Sequence, residues 1–350
     1  MEQSLDARLV DQATAALEMF GVYLGDRLGL YAALRDGGPA TVAELAQRCA
    51  IHPRYAREWL EQQAVAGFLI VDDAAAAPEA RRYRLPEAHV GPLADPTHAA
   101  HVAPLARMLA GIGGVLEEVV AAYRSGGGVP YARYGTDFRH GQGGINRPAF
   151  STSLADAWLP AMSGVADRLR AGGKVADLGC GQGWSTIAVA RTFPKAQVLG
   201  IDLDPGSIDD ARANARGAGI DVRFECADAS ALAGQGFDLV MLLEALHDLA
   251  RPVEVLQAAR AALAGDGALL VADELVAPAF SAPGDLLERM MYGWSIVHCL
   301  PTQMVEQPSA AIGTVIREDT VRTLAQQAGF RDTRVLDADG GFFRLYELRG

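Results

Sequence analysis

The stretch richest in chemical possibility reads Lys174-Val-Ala-Asp177-Leu-Gly179-Cys-Gly181-Gln-Gly183-Trp-Ser-Thr, an apolar run, a glycine turn and the start of a helical pattern. Glycines at such a turn let the backbone approach a ligand closely. The dinucleotide fingerprint G-x-G-x-x-G does not fit, because its last place falls on Trp184 counted from Gly179 and on Thr186 counted from Gly181. What stands there is an acid, one spacer and G-x-G-x-G, and a carboxylate in that place suits a ligand carrying positive charge. The next apolar run ends Gly200-Ile-Asp202, where an acid at a strand tip can accept both hydroxyls of a ribose, so Asp202 points to a nucleoside. The third run is followed by Ala227-Asp228-Ala229, which brings a third carboxylate to the same edge.

These residues need a sheet to align them. Short apolar runs at 175–178, 198–202, 222–226, 239–243 and 268–272 read as strands, with helical patterns at 184–191, 206–216, 252–263 and 319–328. Strands separated by helices of this length predict an α/β, Rossmann-like, doubly wound parallel sheet, with ligands bound beyond its C-terminal edge. Two last runs, 333–336 and 342–348, are joined by Asp339-Gly-Gly, a hairpin signal, so the sheet is expected to close with an antiparallel last strand.

After the fourth strand comes Leu243-Glu244-Ala-Leu-His247-Asp248-Leu, ahead of a helix that starts at Pro252. An insert at 279–315 carries Leu287, Met291, Trp294 and His298 at i, i+4, i+7 and i+11, one helical face. Such a stripe is ordinarily core, yet its place over the sheet edge makes it a candidate lid or substrate-pocket wall, with Tyr292, Trp294 and His298 as its polar-tipped members. His140, in Phe138-Arg-His140-Gly-Gln, is a further candidate for that pocket, against the plainer reading of a polar loop.

The first part of the chain is different. Residues 9–34 are apolar at helical spacing, with Gly21 and Gly25 as soft interruptions. Thr41 and Glu44 form a capping-box pair, Gly67 ends a second short helix, and runs at 69–71 and 82–85 flank an Ala-rich loop. This is the pattern of a winged helix-turn-helix, a unit that often reads DNA. Arg48, Arg54 and Arg57 are balanced there by Glu44, Glu58 and Glu61, whereas a recognition helix is normally basic, so dimerisation or covering another domain is the favoured role. The expected organisation is a mainly helical winged-helix and dimerisation domain at 1–95, a helical linker at 96–145 and the sheet domain at 146–350.

Composition narrows the classes further. With 43 acids against 31 bases the net charge is -12, a field that repels nucleic-acid backbones and anionic lipid. Half of the 350 residues are apolar and 21% charged, which excludes a disordered chain. Cys49, Cys180, Cys226 and Cys299 lie far apart without a C-x-x-C pair, so free thiols in a reducing compartment are expected. The start of the chain lacks a signal-peptide pattern and no 18-residue apolar stretch follows, so a cytoplasmic protein is expected.

From 174 to 350 the pattern resembles the class I S-adenosylmethionine-dependent methyltransferases. The resemblance implies that Gly179, Gly181 and Gly183 hold the methionine end of that cofactor, with Asp177 at its amino group. It further implies that Asp202 holds the ribose and Asp228 the adenine amino group, with Leu203 and Ala229 also in the cofactor site and Glu244 flanking the cofactor or an acceptor amine. In natural-product O-methyltransferases a His-Asp pair after the fourth strand supplies the general base, a place His247 occupies; the plainer alternative is a histidine that packs against the sheet edge. The whole layout, with Met290-Met-Tyr-Gly-Trp-Ser and Glu306-Gln-Pro-Ser, is similar to a group of bacterial methyltransferases that includes mycobacterial members, and it implies a homodimer built through the N-terminal domain. The expected function is methyl transfer to a small molecule, with oxygen as the acceptor atom ahead of nitrogen. Rival readings are a winged-helix regulator that senses S-adenosylmethionine, and a non-methylating enzyme on the same fold. No metal dependence is expected.

Overall fold

The computed structural model describes residues 4–232 and 234–350. The chain packs into two compact units, one formed by residues up to Ala110 with His140–Pro148, the other by Gly111–Arg139 with Ala149–Gly350.

In the first unit a helix runs Leu5–Arg27 without a break through Gly21 and Gly25. Those glycines are points of close approach rather than interruptions, since a Cβ on Gly25 would stand 2.4 Å from the Tyr31 ring and 2.8 Å from that of Trp59. The chain turns instead at Gly29, whose φ of 68° precedes the helix Leu30–Gly37. Helices Val42–Cys49 and Pro53–Val65 follow, the former opened by the Thr41 and Glu44 capping box. Strands β1 (Ile70–Val71) and β2 (Tyr83–Arg84) pair antiparallel as the wing. Leu30, Leu45, Trp59, Leu60 and Tyr83 form the core, and Trp59 Nε1 donates to Gly21 O at 2.9 Å. The outer side of the first helix stays apolar and open: Leu17 is 68% exposed, and Phe20, Leu24 and Leu28 are exposed along the same stripe.

The second unit holds strands β3 (Lys174–Leu178), β4 (Gln197–Asp202), β5 (Arg223–Cys226), β6 (Phe237–Leu243), β7 (Leu263–Glu274), β8 (Asp332–Val335) and β9 (Phe343–Arg349). They form one sheet in the order β5-β4-β3-β6-β7-β9-β8, parallel except that β9 runs antiparallel to both β7 and β8. The antiparallel end is as expected, with β9 slotted between β7 and β8. The central strands are buried on both sides, which is why β6 reads as an almost unbroken apolar run. Alternate residues feed two cores: Leu239, Met241 and Leu270 pack with Trp158 and Leu159, while Val240, Leu242 and Leu269 pack with Leu256, Ala259 and Val321. Strand β7 begins earlier than the 268–272 run predicts, because Leu263 pairs with Phe237 before an irregular step brings Ala268 opposite Leu239. Among the described residues no helix is long and apolar enough to cross a membrane.

Candidate active site

The chain leaves β3 toward β4 on one side and leaves its other neighbour, β6, toward β7 on the opposite side, so a crevice opens between β3 and β6 beyond the strand ends. The glycine turn sits at that point. Gly179, Gly181 and Gly183 all have positive φ, at 69°, 51° and 77°. At Gly183 space is short as well, since a Cβ would meet the Phe224 ring at 2.7 Å. Asp177, buried at the end of β3, accepts at Oδ2 from the hydroxyls of Ser185 and Thr186, each at 2.6 Å. Burial pushes its carboxyl up to about 6 against these hydrogen bonds. That oxygen therefore braces the turn against the first residues of the helix Trp184–Thr192.

Asp202 ends β4 and accepts at Oδ2 from the N–H of Gly181 and at Oδ1 from the N–H of Asp204, both at 2.8 Å. One carboxylate thus fixes the glycine turn and the start of the helix Pro205–Ala218 together. Burial raises its pKa while the backbone N–H groups oppose the rise. Beside it Leu203 is 68% exposed, an apolar side chain held open at the sheet edge. Asp228 is exposed after β5, and Ala229 opens the short 3₁₀ turn Ala229–Leu232. This edge fits the cofactor of the resemblance: a glycine turn, an acid at the adjacent strand tip and an open apolar side chain suit an amino acid end, a ribose and a base.

Beyond β6 the acids crowd around one histidine. Glu244 takes a left-handed φ of 52°, costly for a residue with a side chain, and its N–H donates to Ala272 O at 2.7 Å. His247 is buried in the 3₁₀ turn Leu246–Asp248. Its Nδ1 lies 2.7 Å from Asp273 Oδ1, its backbone N–H donates to Asp273 Oδ2 at 3.1 Å, and its Nε2 is 3.4 Å from Asp248 Oδ1. Burial works to lower the imidazole pKa, but Asp273 and Asp248 outweigh it and hold His247 well above its ordinary range. Glu274, next to Asp273, is pushed up to about 8 by burial against the attraction of His247, and burial with Glu274 as neighbour raises Glu244 strongly. Asp273 and Glu274 went unread in the sequence, although both carry the signal that singled out Asp202, an acid at a strand tip.

The insert reaches this histidine through an unusual helix. After the helix Leu286–Trp294 the chain makes one wide turn, Ser295–Cys299, before Leu300–Gln303. Pro301 has no N–H to give Val297, and the Leu300 N–H bonds to Ser295 O, one residue farther back than in an α-helix. Two tyrosines take the released carbonyls: Tyr134 Oη donates to Val297 O at 2.8 Å and Tyr123 Oη to Ile296 O at 3.0 Å. The stripe of the sequence is therefore not one straight α-helical face. Met291 and His298 are buried, Leu287 and Trp294 half-buried, and Tyr292 exposed beside Phe280. His298 stands among Phe138, Tyr134 and Tyr131, with ring centroids at 4.1, 4.6 and 5.9 Å. Burial pushes its imidazole down to about 4, and its Nε2 has no hydrogen-bond partner among the described residues. His140 lies in the stretch of the helix Gly135–Ser153 that belongs to the first unit.

Residues 169–329 match the family model described as a methyltransferase domain, and residues 15–94 that of an Rv2258c-like winged HTH domain. The chain is 36% identical over 99 residues to the ubiquinone biosynthesis O-methyltransferase of Ruegeria sp. (strain TM1040), covering 28% of this chain and 39% of that protein. It thus spans about two fifths of the length of such curated relatives. Among solved structures, the mitomycin 7-O-methyltransferase MmcR matches with a TM-score of 0.70 at 20% identity, over 98% of this chain and 97% of that one. Human N-acetylserotonin methyltransferase, solved with S-adenosylmethionine, matches with a TM-score of 0.71 at 19% identity, over 99% of both chains. Likeness at such low identity establishes a common fold. The chain therefore joins a winged helix-turn-helix domain of the Rv2258c-like kind to a methyltransferase domain.

Proposed function

We propose that this protein moves a methyl group from S-adenosylmethionine to a hydroxyl oxygen of a small molecule, with His247 as general base. The observation that carries the reading is the Asp273 and His247 pair, set on the same sheet edge as the glycine turn and Asp202. Asp202 and Leu203 would hold the ribose side of the cofactor, Asp228 and Ala229 the adenine, and the Gly179 to Gly183 turn the methionine end, with Asp177 behind it and Glu244 flanking. When bound, the cofactor supplies a methyl group already activated on a sulfonium, so the chain's own work is alignment and proton removal.

Asp273 accepts the Nδ1 proton of His247, which leaves Nε2 as the acceptor for a substrate hydroxyl proton and stabilises the imidazolium that results. The carboxylates of Asp273 and Asp248 raise the pKa of His247 against the effect of burial, so a higher pH favours its proton-accepting form. His298 and Trp294 would wall the acceptor, with Tyr292 at the rim. Replacing His247 by Ala is expected to lower S-adenosylhomocysteine formation on a hydroxyl acceptor by about 10²- to 10⁴-fold while cofactor affinity holds. Unchanged turnover would remove the base role, and turnover without S-adenosylhomocysteine would favour a non-methylating enzyme.

The winged helix is read as a dimer element rather than a DNA reader. On the helix Pro53–Val65 Arg54 pairs with Glu58, and Arg57 reaches Glu61 at 3.2 Å, so little free positive charge is offered to a phosphate backbone. The open stripe of Leu17, Phe20, Leu24 and Leu28, beside a groove of 530 Å³ shared with Tyr55 and Trp59, supports a homodimer through this face. The free thiols of Cys49, Cys180, Cys226 and Cys299 fit a reducing compartment, the cytoplasm.

A further inference from the structure

Cys299 was unremarkable as a lone thiol in the sequence. Folding brings it to His247 and Asp248, and one ligand atom from each of the three lies within 4.8 Å of the others. The 3.4 Å between His247 Nε2 and Asp248 Oδ1 is a spacing that suits a tetrahedral ion, whose ligands at about 2.0–2.3 Å stand roughly 3.3–3.8 Å apart. Asp248 Oδ1 is enclosed and has no hydrogen-bond partner among the described residues. Asp273 holds Nδ1 of His247, the outer carboxylate that commonly orients a metal-bound imidazole. His247 and Asp248 come from the turn after β6 and Cys299 from the wide turn of the insert, so the cluster joins two separately braced elements.

We propose that His247, Asp248 and Cys299 form a binding site for a divalent ion of the zinc class, whose occupancy withdraws His247 from proton transfer. One nitrogen, one oxygen and one sulfur ligand match zinc or cobalt rather than magnesium or calcium, which prefer oxygen alone. Binding replaces the thiol proton of Cys299, and any second proton on His247, by the ion and releases them to solvent. The ion is an inhibitor, because the lone pair it takes on Nε2 is the one needed for a substrate proton. The site stands on its own geometry; the inhibition rests on His247 being the base.

The test is titration of the full-length protein with Co²⁺, read by absorbance. One equivalent is expected to give tetrahedral visible bands and a near-ultraviolet thiolate-to-cobalt band. Cys299→Ser is expected to lose the thiolate band, and Cys226→Ser, which alters an exposed thiol elsewhere, to keep it. Asp248→Asn is expected to keep the band while weakening affinity at least tenfold, which tests the site in a second variant if Cys299→Ser misfolds. No band in the wild type, or a band that survives Cys299→Ser, overturns the proposal. One equivalent of Zn²⁺ is expected to cut methyl transfer at least tenfold in the wild type and less than twofold in Cys299→Ser. A thiolate band without inhibition keeps the ion site and overturns the withdrawal of His247. A thiolate band in a protein that makes no S-adenosylhomocysteine even without metal keeps the site and removes the methyl-transfer reading.

Discussion

Asp273 holds His247 at two points, the ring through Nδ1 at 2.7 Å and the backbone through N–H at 3.1 Å. The tip of β7 thereby sets both the position of the turn after β6 and the direction in which the imidazole presents Nε2. A single carboxylate that fixes tautomer, orientation and basicity together is the arrangement a general base requires.

Replacing Asp273 with Asn separates these effects by pH. The Asp273 carboxylate raises the pKa of His247, so its removal lowers that pKa, and the acid limb of the kcat profile is expected to move to lower pH. The plateau is expected to fall at least about tenfold, since a weaker and less firmly oriented base remains. Profiles of wild type and Asp273→Asn on one hydroxyl acceptor check this, and an acid limb that stays in place contradicts it.

His298 makes a claim about stability. Its imidazole titrates near 4 in the folded protein against an ordinary 6.5, because burial disfavours the charged ring. Between those values the unfolded chain binds a proton that the folded chain does not, so stability rises with pH through the window, by up to about 1.4 kcal/mol per pH unit. His298→Phe, which keeps the packing against Phe138 and Tyr134, is expected to flatten that part of the slope in urea unfolding between pH 4 and 6.5. An unchanged slope assigns the pH dependence to other groups.

The open stripe on the first helix predicts self-association. Leu17→Glu with Phe20→Glu places two charges where the wild type offers apolar surface, and sedimentation is expected to change from dimer to monomer at micromolar concentration. A wild type that sediments as a monomer contradicts the proposed dimer.

Most of the sheet was legible because buried parallel strands are short apolar runs and the helices between them keep a 3.6-residue period. Asp177, the glycines and Asp202 were legible for a related reason, since each ends such a run or turns out of one. Asp273 and Glu274 were hidden because β7 continues past the apolar run that ends at Ala272, so its last two residues are buried acids that no apolar pattern marks as strand. Cys299 and the wide turn lay beyond local reading altogether. Pro301 signals a lost hydrogen bond, but Tyr123 and Tyr134, which take the freed carbonyls, stand more than a hundred residues earlier in the chain. Gly21 and Gly25 misled in the opposite sense, since a glycine that breaks a helix and one that admits a neighbouring ring look the same in sequence.

Calorimetric titration of S-adenosylmethionine and S-adenosylhomocysteine into wild type and Asp202→Ala tests the central claim most directly. Asp202 joins the glycine turn to the place proposed for the ribose, so micromolar binding is expected in the wild type, weakened at least about tenfold in the variant. Absence of binding in the wild type, or equal binding in both proteins, contradicts the account.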